Sequence, residues 1–137
     1  MRIFIDTNII ISAALSNNST PQKAFDLATS LPNQGIISSQ VLDELVRIFQ
    51  QKLPTHIHKL NYFLATSFFS LQIVSVPKKI EDAELLIRDV KDRPIFRAAQ
   101  KAHADIILTG DKDLLESGIT SPQIMTAREF LDLYNCE

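Results

Sequence analysis

The chain has 137 residues, of which 45% are hydrophobic and 22% are charged, and its formal net charge at pH 7 is −2. These values are typical of one globular domain, so we expect a single domain over residues 1–137 with its own core. A slightly acidic chain does not by itself indicate a nucleic-acid-binding protein, although clustered acids can mask basic side chains that contact phosphates.

The sequence shows no sign of export or membrane insertion. Its apolar stretches are much shorter than a membrane span, and residues 1–3 lead directly into a predicted strand without the pattern of a signal peptide. The only cysteine, Cys136, is the penultimate residue, so an intramolecular disulfide is impossible. We therefore expect a cytoplasmic protein that makes no contact with membranes.

Apolar runs and turn signals predict strands and helices that alternate along the chain. The predicted strands cover residues 2–6, 36–38, 71–76, 105–109 and 123–125. The predicted helices cover residues 8–15, 21–30 (with Thr20 as N-cap), 39–52, 56–70, 80–87, 94–103, 112–116 and a C-terminal helix opened by the capping box at 126–129. This alternation predicts the α/β class with a mainly parallel sheet.

Two of the predicted strands lead into an aspartate. Asp6 follows the apolar run 3–5, and Asp111 follows the run 106–110. Such runs are typical of strands buried on both faces, and ligands of open α/β folds bind at the carboxyl edge of the sheet. Each aspartate taken alone could equally be a turn-forming residue.

Two helices supply further acids. The 100° step per residue places Glu44 at the margin of the buried stripe of its helix and Asp43 on the solvent side, so Glu44 is the better candidate for an inward-facing ligand. The helical projection places Asp92 on the same side as the apolar face of the helix that begins at Pro94. An acid at this position is also an ordinary N-cap. Asp89 is interpreted as a loop acid.

Smaller polar residues accompany these acids. Thr7, Asn8 and Thr109 can hydrogen-bond a carboxylate, a water or a phosphate oxygen, but helix capping or strand packing would also explain them. Asp113 is favoured as the N-cap of the helix at 114–115. Carboxylates that meet from distant parts of a chain repel one another unless a cation neutralises them, and Mg²⁺ or Mn²⁺ suits an all-oxygen site.

The order of these segments resembles the PIN-domain family. IFIDTNIIISA (residues 3–13) resembles the opening strand with its first acid, and ISSQVLDELVRIF (37–49) resembles the helix that carries the second. RDVKDRPIFRAAQKAHADIILTGDKDLL (88–115) resembles the half with the third and fourth acids, and TAREFLDLY (126–134) resembles the closing helix. The resemblance therefore covers nearly the whole chain.

The resemblance implies a fold, an activity and partners. The fold would be a three-layer α/β/α sandwich with a roughly five-stranded, mainly parallel sheet. The activity would be that of a Mg²⁺- or Mn²⁺-dependent endoribonuclease of the VapC-like toxin type. The catalytic and metal-binding residues would be Asp6, Glu44, Asp92 and Asp111, with Asp113 as an auxiliary metal ligand and Thr7, Asn8 and Thr109 as supporting groups. The partners would be RNA, a small antitoxin protein and a second copy of the chain in a homodimer.

One position departs from the family pattern, because Arg93 follows the third acid where many members have another acid or Asn. Arg93 and Lys112 are candidate phosphate contacts. Two other functions stay open: a PIN-like module that binds RNA or protein without cutting, and a Mg²⁺-dependent phosphoacceptor or phosphatase with Asp6 as nucleophile. The second of these lacks a lysine on a late strand, since Lys112 lies beyond Gly110.

Overall fold

Five short strands lie side by side in one parallel sheet, in the order β3-β2-β1-β4-β5. The computed structural model describes residues 1–135, and Cys136 lies outside the described residues. The strands are β1 (Arg2–Ile5), β2 (Gln34–Ser38), β3 (Leu71–Val74), β4 (Ile106–Leu108) and β5 (Gln123–Met125).

Helices connect the strands. They are α1 (Thr7–Leu15), α2 (Thr20–Thr29), α3 (Ser39–Lys52), α4 (Ile57–Ser67), α5 (Arg93–Lys101), α6 (Lys112–Leu115) and α7 (Ala127–Tyr134). Short 3-10 turns occupy Pro54–His56, Phe68–Ser70, Asp82–Leu86 and Val90–Asp92. Within residues 1–135, no helix combines the length and the apolar character needed to cross a membrane.

The centre of the sheet is the pair of strands β1 and β4. Ile5 pairs with Leu108 in the parallel register, and the side chains of both strands are almost fully buried from Ile3 to Ile5 and from Ile106 to Leu108. The prediction that these apolar runs form central strands is therefore confirmed. The residues that follow them, Asp6 and Thr109, meet at the carboxyl edge of the sheet.

Helices cover both faces of the sheet. Helices α1 to α4 pack against one another, and α7 packs on α2. The chain runs outward from β1 to β2 and β3 and then crosses back to β4, and right-handed crossovers put the helices of two such oppositely directed connections on opposite faces of a parallel sheet. The predicted three-layer α/β/α sandwich with a five-stranded parallel sheet is confirmed.

The predictions for the start of α2 and for residues 80–87 were wrong. Helix α2 begins at Thr20 itself, because Ser19 is the N-cap and its hydroxyl oxygen accepts a hydrogen bond of 3.2 Å from the backbone N–H of Gln22. The helix predicted over 80–87 is only the 3-10 turn Asp82–Leu86. This segment has no continuous apolar stripe to bury, so packing does not extend the turn into an α-helix.

Gly35 in β2 offers a test of how tightly the layers pack. A Cβ atom at this position would lie 2.7 Å from Thr29 Cγ2, and the Thr29 hydroxyl donates to the Phe25 carbonyl oxygen at 2.9 Å, which restrains its rotamer. We expect Gly35→Ala to lower the free energy of unfolding by about 1–2 kcal/mol through overpacking. Urea denaturation measures the change.

Gly110→Ala is the matched control for this substitution. Its new Cβ would meet nothing closer than Asn8 Nδ2 at 3.8 Å, so the free energy of unfolding should change by no more than about 0.5 kcal/mol. A Gly35→Ala protein as stable as the Gly110→Ala protein would contradict the packing argument.

Candidate active site

Asp6 lies at the carboxyl end of β1 with both carboxylate oxygens held by hydrogen bonds. The backbone N–H of Thr7 donates to Oδ1 at 2.7 Å, and the Thr109 hydroxyl donates to Oδ2 at 2.7 Å. Asp6 is only 6% exposed, and its own N–H donates to the Leu108 carbonyl oxygen at 3.0 Å. The register of β1 on β4 therefore determines where this carboxylate lies.

Asp111 is the N-cap of α6, and Thr109 connects it to Asp6. The Asp111 N–H donates to Thr109 Oγ1 at 3.0 Å, while Asp111 Oδ1 accepts from the N–H of Asp113 at 2.8 Å. The prediction that Asp113 is the N-cap was therefore wrong by two residues. Asp113 lies inside the helix, and its carboxylate pairs with Arg88 at 2.8 Å.

Glu44 is half-buried on α3 and its neighbour Asp43 is exposed, as the helix projection predicts. The Thr7 hydroxyl donates to Glu44 Oε2 at 3.4 Å. Asn8 supports the same region, because its side-chain oxygen accepts from the N–H of Gly110 at 3.3 Å. Helix α1 thus connects α3 to the loop that follows β4.

Asp92 ends the 3-10 turn Val90–Asp92 and precedes α5, but its side chain makes no capping hydrogen bond. Capping therefore does not explain this acid. Its Oδ2 atom is buried and has no hydrogen-bond partner among the described residues. Asp89, which the sequence suggested was a loop acid, caps the 3-10 turn by accepting from the N–H of Lys91 at 3.0 Å.

These acids meet at one cavity of about 370 Å³ at the carboxyl edge of the sheet. The polar residues on its walls are Asp6, Thr7, Asn8, Ser38, Gln40, Glu44, Arg47, Asp89, Lys91, Asp92 and Asp111. Thr109 lies behind the wall and is fully buried. The structure thus brings Asp6, Glu44, Asp92 and Asp111 together from four separate segments.

Asp92 also belongs to a second group of acids. One carboxylate oxygen from each of Asp89, Asp92 and Asp113 lies within 4.8 Å of the others. Asp113 does not line the cavity, and its pairing with Arg88 already supplies it with a cation. The cavity is therefore the better candidate for a metal site, with Asp92 shared between the two groups.

Comparison with known proteins identifies the family. Residues 2–113 match the family model of the PIN domain. The chain belongs to the PIN-domain family. A protein of Methanocaldococcus jannaschii described as uncharacterized protein MJ1680 is 30% identical over 118 residues, which cover 84% of this chain and 74% of that protein.

Two solved structures share the PIN fold at lower identity. VapBC2 from Rickettsia felis, bound to a DNA fragment from its promoter, superimposes with a TM-score of 0.67 and 20% identity over 92% of this chain and 98% of that chain. VapC20 of Mycobacterium tuberculosis, a toxin that cleaves the sarcin–ricin loop, superimposes with a TM-score of 0.58 and 17% identity. The match covers 85% of this chain and 95% of that chain. These likenesses support the fold, and the resemblance to PIN domains is confirmed.

Burial and mutual repulsion raise the pKa of two of the cavity acids. Burial raises the pKa of Asp6 to about 6, the hydrogen bonds from Thr109 and Thr7 oppose this rise, and the charges of Glu44 and Asp111 add to it. Burial likewise raises the pKa of Asp92 to about 7, and the neighbouring acids, first Asp111 and then Asp89 and Asp6, raise it further. Both groups lack a compensating positive charge.

The cations on the cavity walls are not those that the sequence indicated. Arg93 turns away, and its Nε donates to the Ile87 carbonyl oxygen at 3.0 Å. Lys112 is exposed and does not line the cavity. Arg47 and Lys91 do line it, and within residues 1–135 neither pairs with a carboxylate. Sequence reasoning missed both, although Arg47 lies one helical turn after Glu44.

The raised pKa values predict how the stability of the metal-free protein depends on pH. Folding holds protons on Asp6 and Asp92 that the unfolded chain, with a pKa near 3.8, has already released. Stability should therefore fall as the pH rises from about 4 to about 7. Asp92→Asn removes one of these groups, so its melting temperature in EDTA should exceed that of wild type most at about pH 8 and least at about pH 4.5.

Thermal melts of both proteins across this pH range provide the measurement. The matched control is Asp43→Asn, which removes one exposed carboxylate from α3 outside the cavity. An advantage of Asp92→Asn that is the same at every pH, or that disappears above about pH 7, would show that the ionised Asp92 carboxylate does not destabilise the folded protein.

Proposed function

We propose that this PIN domain is a metal-dependent endoribonuclease and the toxin of a toxin–antitoxin pair. The observation that carries the proposal is the convergence of Asp6, Glu44, Asp92 and Asp111 on one cavity. Membership of the PIN-domain family and the fold shared with VapC chains support a nuclease of this kind. We infer RNA as the substrate from the likeness to VapC20, which cleaves the sarcin–ricin loop, and the need for a metal from the carboxylates of the cavity.

The residues of the cavity fit a hard divalent cation. All the ligands they offer are oxygens, as Mg²⁺ and Mn²⁺ prefer, and the buried Asp92 Oδ2 atom has no other partner. Five acids face only two basic side chains in the cavity, so without a cation its negative charge would repel a phosphate. A bound cation would acidify water and neutralise charge that develops on the phosphate.

We assign the role of metal ligands to Asp6, Glu44, Asp92 and Asp111. Asp89 is an additional candidate because it shares the cavity with them. Asp113 stays an auxiliary candidate, since its ion pair with Arg88 would have to open before it could coordinate a metal.

Neighbouring hydroxyl and amide groups would orient the ligands. Thr109 donates to Asp6 and accepts from the N–H of Asp111, so one hydroxyl determines the separation of two acids. Thr7 also contacts two acids, because its backbone N–H donates to Asp6 and its hydroxyl donates to Glu44. Asn8 is exposed on the cavity wall, where its amide could donate to a phosphate oxygen. Second-shell hydrogen bonds of this kind maintain ligand orientation.

Arg47 and Lys91 are the basic side chains that we propose to contact the RNA backbone. Arg47 belongs to α3 and Lys91 to the 3-10 turn Val90–Asp92, and both line the cavity that holds the acids. They are therefore within the same cavity as a phosphate that a metal on these carboxylates would bind. Arg93 and Lys112 lie outside the cavity and are no longer favoured for this role.

The phosphoacceptor alternative lacks the lysine that it would need on a late strand. Asp6 itself does not decide the question, because each of its oxygens accepts one hydrogen bond of 2.7 Å and keeps a second lone pair that could bind a metal or attack a phosphoryl group. No late-strand lysine faces it within residues 1–135, since Lys112 is exposed. A module that binds without cutting is an outcome of the cleavage test below.

We further propose a small antitoxin partner, a homodimer, a cytoplasmic location and a single PIN domain over residues 1–137. The antitoxin follows from the toxin assignment, and a reading frame for a small protein beside the gene would support it. Light scattering on the purified chain measures whether the protein is a dimer.

Removing single carboxylates tests the catalytic assignment. We expect Asp6→Asn and Asp111→Asn to reduce RNA cleavage in Mg²⁺ or Mn²⁺ by at least about 100-fold, since second-shell changes alone cost 10–100-fold. Glu44→Gln should also lose activity, whereas Asp43→Asn, one residue away on the exposed side of α3, should keep it. EDTA should abolish cleavage by wild type.

Cleavage of an RNA pool by each protein, followed on gels, is the measurement. Full activity of Asp6→Asn or Asp111→Asn would overturn the site. RNA binding without cleavage by wild type at every tested metal would favour the binding module.

Replacing the cavity cations tests the RNA contact. On the Asp111→Asn background, Arg47→Gln or Lys91→Gln should weaken binding of single-stranded RNA. Each substitution should also reduce the steepness of the slope of log K against log[salt], where K is the association constant for RNA, by about 0.7. This is the value for one phosphate contact. Fluorescence anisotropy at several salt concentrations gives both quantities.

The matched controls are Lys52→Gln at the end of α3 and Lys112→Gln on α6, neither of which lines the cavity. If the controls lose as much RNA affinity as the cavity variants, binding reflects net charge. If only Lys112→Gln loses affinity, Lys112 is the phosphate contact, as the sequence indicated.

A further inference from the structure

An irregular segment supplies two of the cavity acids. Residues 75–92 connect β3 to α5, contain only two 3-10 turns, and carry Asp89 and Asp92. The segment buries little apolar surface of its own, because Leu85 and Leu86 are 63% and 55% exposed and only Ile87 is fully buried. Ile87 anchors the segment in a small apolar cluster with Phe96 and Leu114, and polar contacts are the candidates for holding the rest of it at the cavity wall.

The first 3-10 turn of this segment places a glutamate in the interior. Glu84 is 2% exposed, and its Oε2 lies 3.1 Å from Arg97 Nε on α5. The contact is an ion pair and not a well-aligned hydrogen bond, because Arg97 Nε has no hydrogen-bond partner. The same Oε2 accepts from the N–H of Glu81 at 3.1 Å, as part of a capping box.

Arg97 holds the segment at a second point, since its Nη1 donates to the Pro77 carbonyl oxygen at 2.9 Å. Glu84 lies five residues before Asp89, and Arg97 lies five residues after Asp92. The ion pair therefore closes the loop that contains both acids and connects it to the regular helix α5. Neither Glu84 nor Arg97 lines the cavity.

Stability alone is a poor explanation for this pair. A buried ion pair contributes little net stability compared with apolar residues of similar size, but losing one partner leaves a costly unpaired charge. Glu84 and Arg97 do supply directional contacts at defined points, which an apolar pair would not.

We infer that Glu84 and Arg97 are positioning residues that hold Asp89 and Asp92 at the candidate metal site. The inference rests on the proposed function, because it assigns the segment a role in cation binding. Loss of the pair would let residues 77–92 move away from the cavity while the sheet, with Asp6 and Asp111, stayed in place.

The decisive variant is Glu84→Gln/Arg97→Met, which removes both charges and both contacts that depend on Arg97. Arg97→Met alone leaves Glu84 buried and unpaired, so its melting temperature should fall by roughly 10 °C. The melting temperature of the double variant should be close to that of wild type, because no buried charge is left unpaired. Its Mn²⁺ affinity, measured by calorimetry, should nevertheless be about 10-fold weaker than that of wild type.

Hydrogen exchange of the metal-free proteins provides a readout that needs neither metal nor RNA. In the double variant, amides of residues 78–92 should exchange faster than in wild type, while those of β1 and β4 should be unchanged. Phe130→Leu on α7 is the control for general destabilisation, since this buried side chain packs on Tyr134 and lies outside the cavity. It should lower the melting temperature and leave the Mn²⁺ affinity unchanged.

The outcomes separate this inference from the proposed function. Wild-type protein that binds no Mn²⁺ would overturn the proposed function. Wild type that binds Mn²⁺, together with a double variant of equal affinity and equal exchange in residues 78–92, would overturn only the positioning role. An equal loss of affinity in Phe130→Leu would also overturn it, because destabilisation alone would then explain the effect.

Discussion

The site depends on one carboxylate that is buried at the centre of the sheet. Asp6 is 6% exposed and lies where β1 ends beside β4. Burying a charge is costly unless hydrogen bonds or a cation compensate it. The N-terminal N–H of α1 and the Thr109 hydroxyl supply part of this compensation, each at 2.7 Å. The pKa of Asp6 nevertheless stays raised at about 6, so the compensation is incomplete.

The two halves of the cavity are held by different kinds of interaction. Asp6 and Asp111 follow central strands, and Thr109 spans them with short hydrogen bonds inside a tightly packed region. Asp89 and Asp92 belong to a segment without a regular ladder, which ion pairs and side-chain-to-backbone hydrogen bonds attach to α5. Packed strands resist displacement, whereas an irregular segment that buries few apolar side chains opens at lower free energy. The second half is therefore the part of the site that sequence changes outside the cavity can most readily adjust.

This difference explains how much the sequence could predict. The fold follows from local patterns, because apolar runs predict buried strands and the 3.6-residue period predicts which face of α3 is buried. That period was sufficient to distinguish Glu44 from Asp43. Asp89, Arg47 and Lys91 were missed because their positions depend on how an irregular segment and a helix surface approach each other in three dimensions. The N-cap at Asp111 in place of Asp113 depended on one hydrogen bond of 2.8 Å, which spacing alone does not reveal.

The acids of the cavity connect the fold to its proposed chemistry through protons. Asp6 and Asp92 have pKa values of about 6 and about 7, raised first by burial and further by the acids around them. A divalent cation binds carboxylates in their ionised form, so it must displace the protons that the metal-free fold retains near neutral pH. The same repulsion that destabilises the empty cavity then becomes a favourable contribution to cation binding, because the cation relieves it. Hydrogen bonds from Thr7 and Thr109 limit the rise in the pKa of Asp6 to about 6. Protons and a cation therefore compete for this carboxylate at a pH near 6. Asp92 has no such donor for its Oδ2 atom, and it is the carboxylate whose ionisation most requires a cation.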